Sequence, residues 1–98
     1  MRLIWSPEAR DDLIEIFRYV AADNPRAARR LHETIKQGAA VLRDNPYAGR
    51  SGRVPGTREW VITATPYLVP YQIREDRVEL LRVYPAARRW PERFEPAG

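Results

Sequence analysis

Apolar residues in the first half of the chain recur at helical spacing. Ala9, Leu13, Ile16, Phe17 and Val20 form one set, and Leu31, Ile35, Ala39 and Leu42 form another. Steps of three and four put each set on one face of a helix. The flanking residues say where each helix begins. Ser6-Pro7-Glu8 supplies a serine N-cap, a proline at the first helical position and an acid in the first turn. Asp23-Asn24-Pro25 ends the first helix at about Ala22 and starts the second by the same logic, with Asn24 as cap. Asp44-Asn45-Pro46 ends the second. A break this short between two helices predicts an antiparallel hairpin.

The rest of the pattern has the period of strands. Arg2 to Trp5 reads as a short first strand. Glu59 to Thr65 alternates Trp60, Ile62 and Ala64 against Val61, Thr63 and Thr65. Tyr67 to Arg74 puts Tyr67, Val69, Tyr71 and Ile73 on one face, and its Pro70, having no N–H to give a ladder, predicts an edge or a bulge. Glu75-Asp76 is the turn into a run from Val78 to Tyr84 that is apolar on both faces, as in a central strand. The tail, about 85–98, is expected to be irregular. The order is strand, helix, helix, three strands. It predicts a single α+β domain over 1–98, a small, mostly antiparallel sheet with an N-terminal helical hairpin packed on one face.

Composition narrows the class. With 98 residues of which 44% are apolar, the chain has material for one domain with a real core. It has no cysteine, which excludes a disulfide scaffold and thiol chemistry and is compatible with a reducing compartment. No apolar run approaches the roughly 20 residues that span a bilayer, and the N-terminus lacks a signal-peptide pattern, so a cytoplasmic protein with no membrane partner is expected. Net charge is +4, and residues 49–98 hold most of the excess, with nine basic against six acidic side chains. Nearly all the basic residues are arginine, Lys36 being the single lysine. Arginine favours planar, bidentate partners such as phosphate and carboxylate.

Those arginines converge on Arg50-Ser-Gly-Arg53-Val-Pro-Gly-Thr-Arg58, a glycine-containing loop with three guanidinium groups and no acid within it. Packing does not call for three mutually repelling cations there, so an anionic partner is the natural explanation. Val54-Pro55-Gly56 sets the turn that presents the flanking arginines, and Glu59 can pair with one of them.

Several short patterns, taken in order, resemble the RelE/ParE superfamily of toxins from type II toxin–antitoxin modules. They are Trp5-Ser-Pro-Glu-Ala9, Asp12-Leu13 with Ile16 and Tyr19, Asn24-Pro25 with Ala27-Ala28, and Pro46 with Gly49-Arg50. They continue with Gly52 to Glu59, Pro66-Tyr67 with Tyr71, Leu81-Arg82-Val83, and Ala87-Arg88-Arg89-Trp90-Pro91. The resemblance spans nearly the whole chain. It implies a cognate, ParD-like antitoxin in a hetero-oligomer, no cofactor and no metal. It also implies one of two activities: ParE-like inhibition of DNA gyrase, or RelE-like cleavage of mRNA on the ribosome. Only the second would make the protein an enzyme.

The residues bear on that choice. A metal-free ribonuclease needs groups that move protons as well as groups that stabilise charge. Arg50, Arg53, Arg58 and Arg82 can do the second and not the first, because arginine stays protonated. His32 and Lys36 lie along the second helix, away from the loop, with His32 at its surface or boundary. Glu59 and Tyr84 remain as proton-transfer candidates. In the RelE-like case the catalytic set would be Arg58, Arg82 and Tyr84, though Tyr84 can equally be an aromatic closing the core. Members of the superfamily often read Arg-Val-Leu-His where this chain has Arg82-Val83-Tyr84-Pro85, and proline transfers no proton. The ParE-like reading therefore leads. Arg50, Arg53, Arg58, Arg82, Arg88 and Arg89 are its candidate target-binding residues, and Trp90 is a candidate strap onto the sheet. A groove near Ile14, Phe17, Arg18 and Val20 is the candidate seat for an amphipathic antitoxin segment whose acids meet Arg50, Arg53, Arg58 and Arg82. Phe17 and Ile14 have a core role as the alternative.

Overall fold

The computed structural model describes residues 1–87. The expectations for Arg88, Arg89 and Trp90 fall on residues outside them. The chain opens with β1 (Arg2–Trp5), then α1 (Pro7–Ala21) and α2 (Pro25–Ala40), which runs into a short 3-10 turn at Val41–Arg43. The strands β2 (Arg50–Ser51), β3 (Arg58–Val61), β4 (Tyr67–Arg74), β5 (Arg77–Leu80) and β6 (Tyr84–Pro85) follow. The sheet order is β1-β5-β4-β3-β2, with β6 also pairing β4. Only β1 and β5 run parallel; the other pairings are antiparallel.

The helix caps are those the sequence predicts. Ser6 Oγ accepts from the Ala9 N–H, and its own proton goes to the Leu81 carbonyl at 3.0 Å, so the cap also ties α1 to the end of β5. Asn24 Oδ1 accepts from the Ala27 N–H. Ala9, Leu13, Ile35, Ala39 and Leu42 bury their side chains against Ile62, Val69, Tyr71, Val78, Leu80 and Val83 of the sheet layer. At Gly38 a Cβ would come within 2.9 Å of Ile62, so α2 lies close on the end of β3. The Trp60 indole N–H reaches the Gly38 carbonyl at the same place.

Four features depart from the sequence reading. The run expected to continue to Thr65 stops at Val61, because Ala64 adopts a left-handed conformation (φ 68°) and Thr65 turns back to the Ile62 carbonyl through both its N–H and its hydroxyl. The run expected from Val78 to Tyr84 divides into β5 and β6, with Leu81–Val83 between them. The stretch read as loop contains β2, so among the described residues the sheet has six strands, four of which the sequence reading anticipated. Finally, β4 is not an edge strand despite Pro70. The Pro70 carbonyl accepts from the Leu81 N–H, and a strand residue points its N and O to the same side. The missing donor therefore faces Leu81 at the break between β5 and β6, and the Leu81 carbonyl it would have met accepts from the Ser6 hydroxyl instead.

Tyr71 carries the loop before β2. Its hydroxyl donates to the Pro46 carbonyl at 2.7 Å and accepts from the Gly49 N–H at 3.0 Å. A Cβ at Gly49 would sit 2.6 Å from the Glu59 carbonyl, so only glycine fits there.

Two stability outcomes are expected. Tyr71→Phe leaves two backbone groups without partners and costs about 1–3 kcal/mol in urea unfolding. Glu79 on β5 is nearly buried. Burial raises its pKa, but hydrogen bonds from Gln72 at 2.8 Å and Arg77 at 3.0 Å outweigh that and hold it below the usual carboxylate value. A depressed folded pKa stabilises above the unfolded value of about 4.3 and is lost as pH falls. Wild type should therefore melt above Glu79→Gln at pH 7, and thermal scans should show the gap closing as pH drops below about 4.

Candidate functional site

The site begins with a carboxylate. Glu59 lies on β3 with its side chain 1% exposed. Register sets Arg50 of β2 opposite it. Arg50 donates to Oε1 from Nε at 3.3 Å and from Nη2 at 3.1 Å. Oε2 accepts the Arg53 backbone N–H at 2.9 Å and faces Arg53 Nε at 3.3 Å. A buried carboxylate without such partners would be costly. Packing therefore does call for two of the three loop arginines. Glu59 pairs with both Arg50 and Arg53, where the sequence offered one pair.

The loop between these strands is stiff. Gly52 N–H donates to the Thr57 carbonyl, and the Thr57 N–H and hydroxyl both reach the Val54 carbonyl. Val54 is buried, and Gly56 at the tip adopts φ +82°, a conformation that favours glycine. The backbone of Thr57 and its side chain leave no space for a Cβ at Gly52.

Arg58 is different. It pairs in register with Ser51 on one side and Tyr71 on the other. Its Nη2 donates to the Tyr47 carbonyl at 3.0 Å, and its guanidinium carbon lies 5.4 Å from the centre of the Tyr47 ring. Its Nε is buried and meets no acceptor among the described residues. A cleft of about 500 Å³ lies beside it, lined by Tyr47, Gly52, Pro55, Thr57, Arg58 and Ile73.

Arg82 is held elsewhere. Its Nε and Nη2 make a bidentate pair with Asp12 of α1 at 2.7 and 2.9 Å, and the Val83 N–H joins Asp12 at 2.9 Å. The guanidinium stacks over the Tyr84 ring at 4.7 Å. The hydrogen bond to Asp12 raises the Arg82 pKa still further, against the effect of burial. The proton-transfer candidates, Glu59 and Tyr84, are 2% and 3% exposed. The arrangement thus offers fixed positive charge to an anion, with its acid–base groups sealed from solvent.

The helical candidates divide. Ile14 is 47% exposed at a cleft of about 350 Å³ shared with Trp5, Arg10, Leu13, His32 and Lys36. Arg18 is exposed and Val20 half-buried. Phe17 is half-buried with its ring edge-on to His32 at 5.9 Å, which makes His32 a boundary residue. Sequence reasoning gave no role to two exposed aromatics, Tyr19, which it named only within the resemblance, and Tyr47. Tyr19 is 82% exposed, beside a second cleft that it lines with Asp12, Glu15, Ile16, Tyr67 and Val83. Tyr47 is 67% exposed and packs on Arg58. The signal for Tyr47 was present: an aromatic in a Pro46-to-Gly49 turn that belongs to no apolar stripe. Among the described residues no three His, Asp or Glu side chains gather as metal ligands, and no helix is long and apolar enough to cross a membrane.

A family model described as the ParE toxin of the type II toxin–antitoxin system parDE matches residues 3–90. A Sinorhizobium fredii protein described as putative toxin Y4kP is 40% identical over 91 residues, which is 93% of this chain and 94% of that protein. Toxin RelE2 of Caulobacter vibrioides is 29% identical over 87 residues, covering 89% and 97%. A solved structure described as the chromosomal ParDE TA system from P. aeruginosa superposes with a TM-score of 0.77 at 29% identity, covering 85% of this chain and 92% of that one. Fold and sequence agree that the chain belongs to the ParE toxin family of type II toxin–antitoxin systems.

Proposed function

We propose that this protein inhibits DNA gyrase and is neutralised by a cognate, ParD-like antitoxin in a toxin–antitoxin complex. The observation that carries the reading is the build of the arginine loop. Glu59 holds Arg50 and Arg53 in a hydrogen-bonded hairpin, while the two proton-transfer candidates, Glu59 and Tyr84, are buried. That suits a protein that acts by binding. It does not suit one that must activate a 2′-hydroxyl and protonate a leaving oxygen.

In this reading Arg50, Arg53 and Arg58, with Arg88 and Arg89, face the gyrase–DNA complex. Arg82 has first a structural duty, since it fastens α1 to the segment after β5 through Asp12. The antitoxin lays an amphipathic segment along the α1–α2 cleft at Ile14, Phe17, Arg18 and Val20, with acids directed to Arg58.

Three outcomes follow. Purified protein should block gyrase supercoiling and trap cleaved DNA, while mRNA in a ribosome-programmed assay stays intact; cut mRNA with normal supercoiling would overturn the proposal. Ile14→Glu should weaken antitoxin binding at least about tenfold in calorimetry, with an unchanged melting profile because the site is exposed. Glu59→Gln should release the loop, read as faster hydrogen exchange at the Arg53 amide and weaker gyrase inhibition.

A further inference from the structure

Among the described residues five arginines turn the Nε edge of the guanidinium to a carboxylate. Arg50 and Arg53 face Glu59 at 3.3 Å each, Arg77 faces Glu79 at 3.0 Å, Arg82 faces Asp12 at 2.7 Å and Arg2 faces Asp76 at 4.0 Å. Arg58 breaks the pattern. Its Nε is buried, no acceptor reaches it, and no carboxylate pairs with the side chain among the described residues. A buried, charged donor without a partner is costly. Here it borders a cleft with room for a side chain, between the Tyr47 ring and the 52–57 loop.

We propose that this cleft is a socket for one side-chain carboxylate of the antitoxin, which takes up the orphaned Arg58 donor as Asp12 does for Arg82. The inference rests on the reading of this protein as an antitoxin-neutralised toxin and adds the place and chemistry of the anchor. Charge argues for a carboxylate over a nucleic-acid backbone. Phosphates engage solvent-facing cations along a track, whereas the unmet Arg58 Nε is a buried donor of a size and geometry that one carboxylate oxygen satisfies. The walls agree, because Pro55 and Ile73 offer apolar surface to the methylenes of an acidic side chain. Tyr47 is the movable wall. It is 67% exposed and stacks over the guanidinium, so it can swing to admit the carboxylate and close over the pair. The antitoxin is the natural donor, since a neutralising partner has to cover the loop that reaches the target.

The test reads Arg58 directly. The Nε–H resonance of ¹⁵N-labelled protein, assigned by its loss in Arg58→Lys, is followed during titration with N-acetylglutamate methylamide, its glutamine analogue, inorganic phosphate and an oligodeoxythymidylate. The same resonance is then recorded in the toxin–antitoxin complex. The glutamate compound should shift it saturably and the glutamine analogue should not. The complex should shift it in the same direction, and Arg58→Lys should bind antitoxin at least about tenfold more weakly. The inference is overturned if no carboxylate shift saturates, if phosphate or the oligonucleotide saturates at lower concentration, or if the resonance is unmoved in the complex. Gyrase is absent from these titrations, so their outcome is separate from that of the supercoiling assay.

Discussion

A carboxylate buried in the sheet organises the functional half of this protein. Glu59 sits between β2 and β4 with almost no exposure, and a charge in that position must be matched or expelled. The chain matches it from one side, with Arg50 from the neighbouring strand and Arg53 from the loop. The shape of the 52–57 loop follows from this demand together with the turn bonds to Thr57 and Val54. So does the division of labour among three arginines that look alike in the sequence. Two complete a buried ionic cluster while keeping part of their surface outward, and the third is left with an unmet donor.

The same economy of charge governs the other end of the sheet. Asp12 on α1 binds Arg82 and the Val83 N–H, and Ser6 binds the Leu81 carbonyl. Both contacts fall on Leu81–Val83, the stretch where β5 ends and β6 has not begun. Helix α1 therefore secures the break in the sheet that Pro70 requires. Arg82, which by type and position looks like a phosphate ligand, is held as a bracket between layers.

How far these features were legible depended on how local their causes were. The caps at Ser6 and Asn24, the stripe from Leu31 to Leu42 and the Glu75-Asp76 turn depend on neighbours within a few residues, and the sequence displays those. The end of β3 depends on the left-handed Ala64, a conformation that alanine does not advertise. The central place of β4 depends on what lies across from Pro70, which no local rule can supply. Among the site residues, the arginine cluster was plain, but its counter-charge was not, because Glu59 reads as an ordinary strand acid until register puts Arg50 opposite it. Tyr47 escaped notice and Tyr19 was given no role, because periodicity favours aromatics inside a stripe over those outside one.

The parallel pairing of β1 with β5 bears on how the molecule comes into being. Leu3 lies beside Val78 and Trp5 beside Leu80, so β1 has a partner that follows both helices and three intervening strands in the sequence. Contacts this distant in sequence are slow to form. Until residues 77–83 are available, β1 has no sheet to join and Asp12 has no Arg82. A growing or truncated chain is thus an unfinished layer with its apolar face open to capture or proteolysis. The bridge from Asp12 to Arg82 closes late, and the protein acquires its assembled surface only once residues 77–83 have been made.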